Sequence, residues 1–207
     1  HGVVDRDFKP DSVVQDLEAS NCTALELHEA ESYLCIPEVL VNITNSMGLL
    51  KELLTITEVE NKIIANFQSC LLKVVAKRVF EKTNLALNIS ITKSELANIS
   101  NEQELKAALC SKASEQVGLA SDRFSDELVK DIFDEEFANA NEAINSRNIL
   151  KILKIGEGKQ LLSTLATLTG ARNMNDLLRA ATKHLKIENF LLLSDLRAKI
   201  LNEFEDN

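Results

Sequence analysis

An all-α protein is the fold class that the sequence predicts, and three observations carry it. Only 6 Gly and 2 Pro occur in 207 residues, too few for a turn-rich β architecture. Apolar residues step by three and four over long stretches, the spacing that gathers them on one face of a helix. Helix-start signals of the form Ser/Thr-x-x-Glu/Gln recur, at Thr23–Glu26, Thr57–Glu60, Thr92–Glu95 and Ser100–Gln103.

In chain order, the longest periodic stretch follows Thr57. Val59, Ile63, Phe67, Cys70, Leu71, Val74 and Arg78 form one stripe, widened by Ile64, Val75 and Val79, which predicts a core helix over about 58–82 with Cys70 facing inward. Leu85, Leu87, Ile89 and Ile91 alternate at period two; with no partner strand in sight they read as an extended connector with Asn88 outward. A helix over 101–117 ends at Gly118. Asp122 opens the next, with Phe124, Leu128, Ile132, Phe133 and Phe137 on one face. Further helices are expected over 147–155, 158–169, 174–186 and 189–204, punctuated by Gly156, Gly158, Gly170 and the Asn173-x-x-Asp176 start, with a short turn near 141–145 as a sixth.

The stretch 118–122 divides the chain. Before it lie all four cysteines, Cys22, Cys35, Cys70 and Cys110, and all four N-glycosylation sequons, at Asn21, Asn42, Asn88 and Asn98; after it there are none. The expectation is two packed helical bundles: a disulfide-stapled, glycosylated domain over 1–118 and a Cys-free bundle of five to six helices over 119–207. An even cysteine count beside sequons reads as a disulfide framework in a secreted protein, against the alternative of four thiols in a cytosolic one. Of the three pairings, Cys22–Cys35 with Cys70–Cys110 closes the shorter loops. The chain starts His1-Gly2-Val3-Val4, which reads as a mature start after removal of a signal peptide.

Charge excludes some functions. Lys plus Arg total 23 against 32 Asp plus Glu, a net of −9, and there is no Trp; both argue against a nucleic-acid binder. No apolar run approaches the ~18 residues of a membrane span. The balance is uneven: residues 122–142 carry eight acids and two bases, residues 147–199 ten bases and four acids. One reading pairs the two signs within the fold. The other makes Lys151, Lys154, Lys159, Arg172, Arg179, Lys183 and Lys186 a basic face for an acidic partner, such as a sulfated glycan or a phosphorylated ligand.

Catalytic chemistry finds no anchor. His28-Glu29 begins like H-E-x-x-H, but position 32 is Ser32, so no metal site is expected. His1 is a terminus and His184 sits near a helix C-terminus, where a cationic side chain suits the dipole. No G-x-S-x-G elbow occurs. Gly156-Glu157-Gly158-Lys159 lacks the full phosphate-loop pattern, though the amides starting helix 158–169, with Lys154 and Lys159, could hold an anion. Asp131, Asp134, Glu135 and Glu136 lack EF-hand spacing and read as a solvated face. No cofactor and no enzymatic activity are expected.

Taken together, the start at His1, cysteines at 22, 35, 70 and 110, sequons confined to one half and aromatic-poor helices resemble the small helical salivary proteins of blood-feeding insects. That resemblance implies a secreted, non-enzymatic effector that engages a host cell or extracellular partner and modulates leukocyte responses, neutrophils among them. Residues 119–207 are similar in size and helix count to the death-fold bundles, including the caspase-recruitment type, which assemble through charged patches. Two alternatives stay open: a carrier of a small apolar ligand such as a fatty acid or eicosanoid, drawing on Leu161, Leu162, Leu165, Leu191, Leu192 and Leu193, or an anticoagulant or other inhibitor protein.

Overall fold

The computed structural model describes residues 2–9, 11–20, 22–85, 118 and 125–205, and is dominated by helix. Among the described residues the chain runs β1 (Gly2–Val4), α1 (Asp11–Ala19), β2 (Cys22–Ala24), a 3-10 helix (Ala30–Cys35), α2 (Pro37–Met47), α3 (Ile56–Leu85), α4 (Asp126–Asn145), α5 (Ile149–Ile155), α6 (Gly158–Ala166), α7 (Met174–His184), a 3-10 turn (Ile187–Asn189) and α8 (Leu191–Glu205). The expected helix over 101–117, the connector beyond Leu85, Phe124, Cys110 and the sequon residues Asn21, Asn88 and Asn98 lie outside the described residues.

The long helix holds its stripe. Val59, Ile63 and Val75 are fully buried, Phe67 and Val74 nearly so, and Cys70 and Leu71 are half-buried beside them. Its start lies two residues earlier than the Thr57–Glu60 signal. Thr55 and Glu58 form the reciprocal box: the Thr55 N–H donates to Glu58 Oε2 at 2.8 Å, and the Glu58 N–H donates to Thr55 Oγ1 at 3.3 Å. Thr23–Glu26 caps no helix, because Thr23 is buried in β2. Helix α2 has start and stop chemistry that the period-based reading passed over. Pro37 occupies the first turn of α2, and Gly48 ends it with φ 64°, the left-handed conformation that glycine adopts without a Cβ penalty. Asn148 and Asn173 cap α5 and α7 by accepting from Lys151 N–H and Asp176 N–H, each at 3.0 Å.

A small parallel pair begins the fold, with Gly2 opposite Cys22, Val3 opposite Thr23 and Val4 opposite Ala24. α1 makes the crossover that a parallel pair requires. Leu27, Val39, Leu40 and Ile43 from the N-terminal segments, the α3 stripe, and Ile152, Leu153, Leu162, Leu165 and Leu177 form one buried cluster. Each such aliphatic side chain contributes about 1.5–3 kcal/mol on full burial. Both sides of the 118–122 division thus supply the same core.

α4 faces inward only in part through its phenylalanines. Phe137 packs half-buried against the core as expected, but Leu128 and Phe133 are exposed, whereas Glu136, Ala140 and Ala143 are buried. The alanines let α4 approach α3 closely, and Glu136 sits in the contact rather than on a solvated face. Arg78, at the end of the α3 stripe, is bonded to Glu136, and Lys82 Nζ lies 2.7 Å from Glu136 Oε1. Burial alone would raise this carboxyl; the hydrogen bonds and charges of Arg78 and Lys82 outweigh it and hold Glu136 below the usual carboxylate range.

Because the folded carboxyl is depressed, Glu136 adds stability above the unfolded value near 4.5, and this is lost as pH falls through the lower folded value. Glu136→Gln is expected to cost about 3 kcal/mol at pH 7, since it leaves two cations facing a neutral amide. Urea midpoints between pH 7 and 3 should fall less steeply for the variant than for the wild type.

Candidate functional site

The best-defined polar assembly lies where the segment after β2 meets the start of α6. Residues 4–7 and 25–30 run side by side. The Leu25 N–H donates to Val4 O at 3.0 Å, the Asp7 N–H to His28 O at 2.8 Å, and the Ala30 N–H to Asp5 Oδ1 at 3.2 Å. The His28 N–H in turn donates to Leu153 O on α5 at 3.2 Å. Tyr33 closes the corner, its hydroxyl accepting from the Glu26 N–H at 3.0 Å. These bonds fix His28 and Glu29 against α5 and α6.

Gly158 makes the approach possible. A Cβ there would lie 2.8 Å from the Ser32 amide nitrogen and 3.2 Å from Glu29 Oε2, so only hydrogen fits between the helix start and the 3-10 helix. The Lys159 N–H donates to Glu29 Oε2 at 2.8 Å. The Lys159 amide at the start of α6 is therefore taken by this chain's own carboxylate. The two lysines expected to assist are paired with neighbouring acids: Lys154 Nζ is 2.9 Å from Glu26 Oε1 and Lys159 Nζ is 3.7 Å from Glu31 Oε1.

His28 is 1 % exposed, and neither ring nitrogen has a hydrogen-bond partner among the described residues. The Phe8 ring packs edge-on against it, with centroids 4.4 Å apart. Burial drives the imidazole down to about 4 from 6.5, against the opposing pull of Asp7, Glu157 and Asp5 and with a smaller push from Arg78, so the ring is neutral near pH 7. Burial likewise raises Glu29, partly offset by the Lys159 amide. Asp7 has φ 46°, a left-handed conformation that aspartate tolerates better than most residues. One oxygen of Asp7, one of Glu29 and one ring nitrogen of His28 all lie within 4.8 Å of one another. They border an open cleft of about 460 Å³ whose other walls include Lys77, Glu81, Glu157 and Gln160. Glu157 is salt-bridged to Lys73 and Lys77. Of these residues the sequence reading singled out His28-Glu29 but stopped at the missing histidine; Asp7 has no sequence signal linking it to them.

The other candidates are scattered. Among the described residues Cys22, Cys35 and Cys70 form no disulfide, which corrects the expected Cys22–Cys35 bridge. The reason is placement: Cys22 sits half-buried in β2, whereas the fully buried Cys35 points its sulfur at Glu31 O and Gly158 O, 3.6 and 3.8 Å away. The partner expected for Cys70 is outside the described residues. Burial pushes the Cys35 thiol well above its ordinary value. Asn42 is exposed on α2. Among the basic candidates, Lys151 pairs with Glu142 and Arg172 with Asp176 at 3.4 Å. Arg179, Lys183 and Lys186 are exposed and, among the described residues, pair with no acid. Arg179 and Lys183 lie one turn apart on α7, with Lys186 just beyond its end. Leu161, Leu162 and Leu165 are buried in the common core, while Leu191 is exposed.

Comparison with protein-family models, with curated proteins and with solved structures found no match.

Gly158→Ala should destabilise the fold by about 1–3 kcal/mol in chemical denaturation, because the added methyl meets backbone. Under native conditions Cys35 should resist iodoacetamide and react only after unfolding, which peptide mass mapping of alkylated protein will show; a Cys22–Cys35 linked peptide would contradict the described arrangement.

Proposed function

We propose that this protein is a secreted, non-enzymatic effector that binds a host extracellular or cell-surface partner and modulates leukocyte responses, neutrophils among them. The observation that carries the binding surface is the trio Arg179, Lys183 and Lys186, exposed and without an acidic partner among the described residues, where Lys151, Lys154, Lys159 and Arg172 are all engaged within the fold. Cations left unneutralised on a chain of net charge −9 are suited to meet an acidic surface on another molecule. The partner-facing unit in this reading is residues 119–207, which carry no sequon to obstruct contact. Four sequons, one of them at the exposed Asn42, support the extracellular assignment. The leukocyte target rests on the resemblance to insect salivary effectors, and the death-fold likeness on size and helix count.

Charge reversal of Arg179, Lys183 and Lys186 together should leave stability within about 0.5 kcal/mol per site and weaken binding to leukocytes at least tenfold at low salt. Flow cytometry with labelled protein at two salt concentrations measures this. Equal binding by a normally folded variant would overturn the basic-surface reading, and loss of wild-type binding after enzymatic removal of sulfated glycans would assign the acidic partner to the glycan.

A further inference from the structure

We propose that Asp7, His28 and Glu29 form a binding site for a divalent transition-metal ion of the zinc type, with three protein ligands and an outward position left for water or a ligand atom. The donor set is one imidazole nitrogen and two carboxylate oxygens, all within 4.8 Å of one another. His28 Nδ1 is already 3.5 Å from Glu29 Oε1, close to the separation between two ligand atoms on a tetrahedral ion with bonds of about 2.0–2.1 Å.

The independent observation is the state of His28. A side chain 1 % exposed with both ring nitrogens unpartnered carries a desolvation cost that no hydrogen bond among the described residues offsets. An ion bound to one nitrogen would remove half of it. Imidazole nitrogen offers its lone pair in the neutral form, the form in which histidine ligates metal.

The surroundings hold the ligands in place. Glu29 Oε2 is fixed by the Lys159 amide, leaving Oε1 toward the imidazole. The Asp7 backbone is tied to His28 by the 2.8 Å bond from its N–H to the His28 carbonyl, and Asp7 Oδ2 accepts from Lys9 Nζ at 2.7 Å, leaving Oδ1 uncommitted. Such support for ligating side chains is what built metal sites share. Two carboxylates and one neutral imidazole balance a divalent charge. The cation Lys77, which lines the same cleft, is occupied by Glu157 and lies over the Phe8 ring, 5.5 Å from its centroid. The site is separate from the α7 cations, so its success or failure leaves the proposed partner surface untouched.

The test is zinc and cobalt titration of the full chain, reduced and freed of metal. Isothermal calorimetry with Zn²⁺ should show saturable binding that His28→Met weakens at least tenfold in a protein of unchanged far-UV circular dichroism. Asp7→Asn and Glu29→Gln, which keep the backbone conformation and the Lys159 bond, should weaken it by a similar factor. Cobalt should give weak visible bands without the intense near-ultraviolet band of a thiolate ligand. Undiminished binding in His28→Met, a thiolate band, or no saturable binding to the wild type would each overturn the proposal. Should Asp7→Asn and Glu29→Gln fail to fold, the comparison of His28→Met with wild type still decides it, since Met removes only a buried polar group of similar volume.

Discussion

The Glu29 carboxylate meets the N-terminus of α6, and the arrangement of the N-terminal segments depends on that meeting. Residues 25–29 have no regular structure of their own and lead into the 3-10 helix, yet the two segments bury Leu25, Leu27, Tyr33 and Cys35. Glu29 supplies an acceptor to an otherwise orphaned helix amide, and the absence of a side chain at Gly158 lets the two backbones touch. From this junction the neighbouring chain is placed: Asp7 and Asp5 on one side, the carbonyl of Leu153 on the other. The salt bridges of Lys154 with Glu26 and Lys159 with Glu31 flank it at the rim, where screening leaves them worth little individually, so they help register more than they help stability.

Helix could be read from the sequence where one periodic face was long enough to speak for itself. The α3 stripe is the clearest instance, and Asn173-x-x-Asp176 marked the start of α7 correctly because the Asx cap is a local bond. The α4 face was misread in part, because Leu128 and Phe133 outweigh two alanines and a glutamate in any hydrophobic count, while packing selects the small residues that allow α3 near and the carboxylate that Arg78 and Lys82 require. Parallel pairing of Gly2–Val4 with Cys22–Ala24 is non-local and three residues long, which no period of two can announce. For the site, His28-Glu29 was visible and Asp7 was not, since their proximity is set by one backbone hydrogen bond across twenty-one residues.

Two buried polar side chains mark opposite solutions to the same problem. Glu136 keeps its charge by drawing in two cations, and removing the carboxylate would leave both without it. His28 gives up its charge instead and keeps two unmet nitrogens. The first ties α3 to α4. The second lies at the base of an open cleft beside acidic side chains.

Asn42 stands exposed on α2, but the hydroxyl residue of its sequon, Thr44, is 1 % exposed on the other side of the same helix. An enzyme that must contact both residues cannot reach the second once α2 is packed against the core. Carbohydrate at this position would therefore be a timestamp: it would show that the chain was modified while α2 was still unformed, and the fraction of molecules carrying it would measure how late that helix docks during synthesis relative to the transferase.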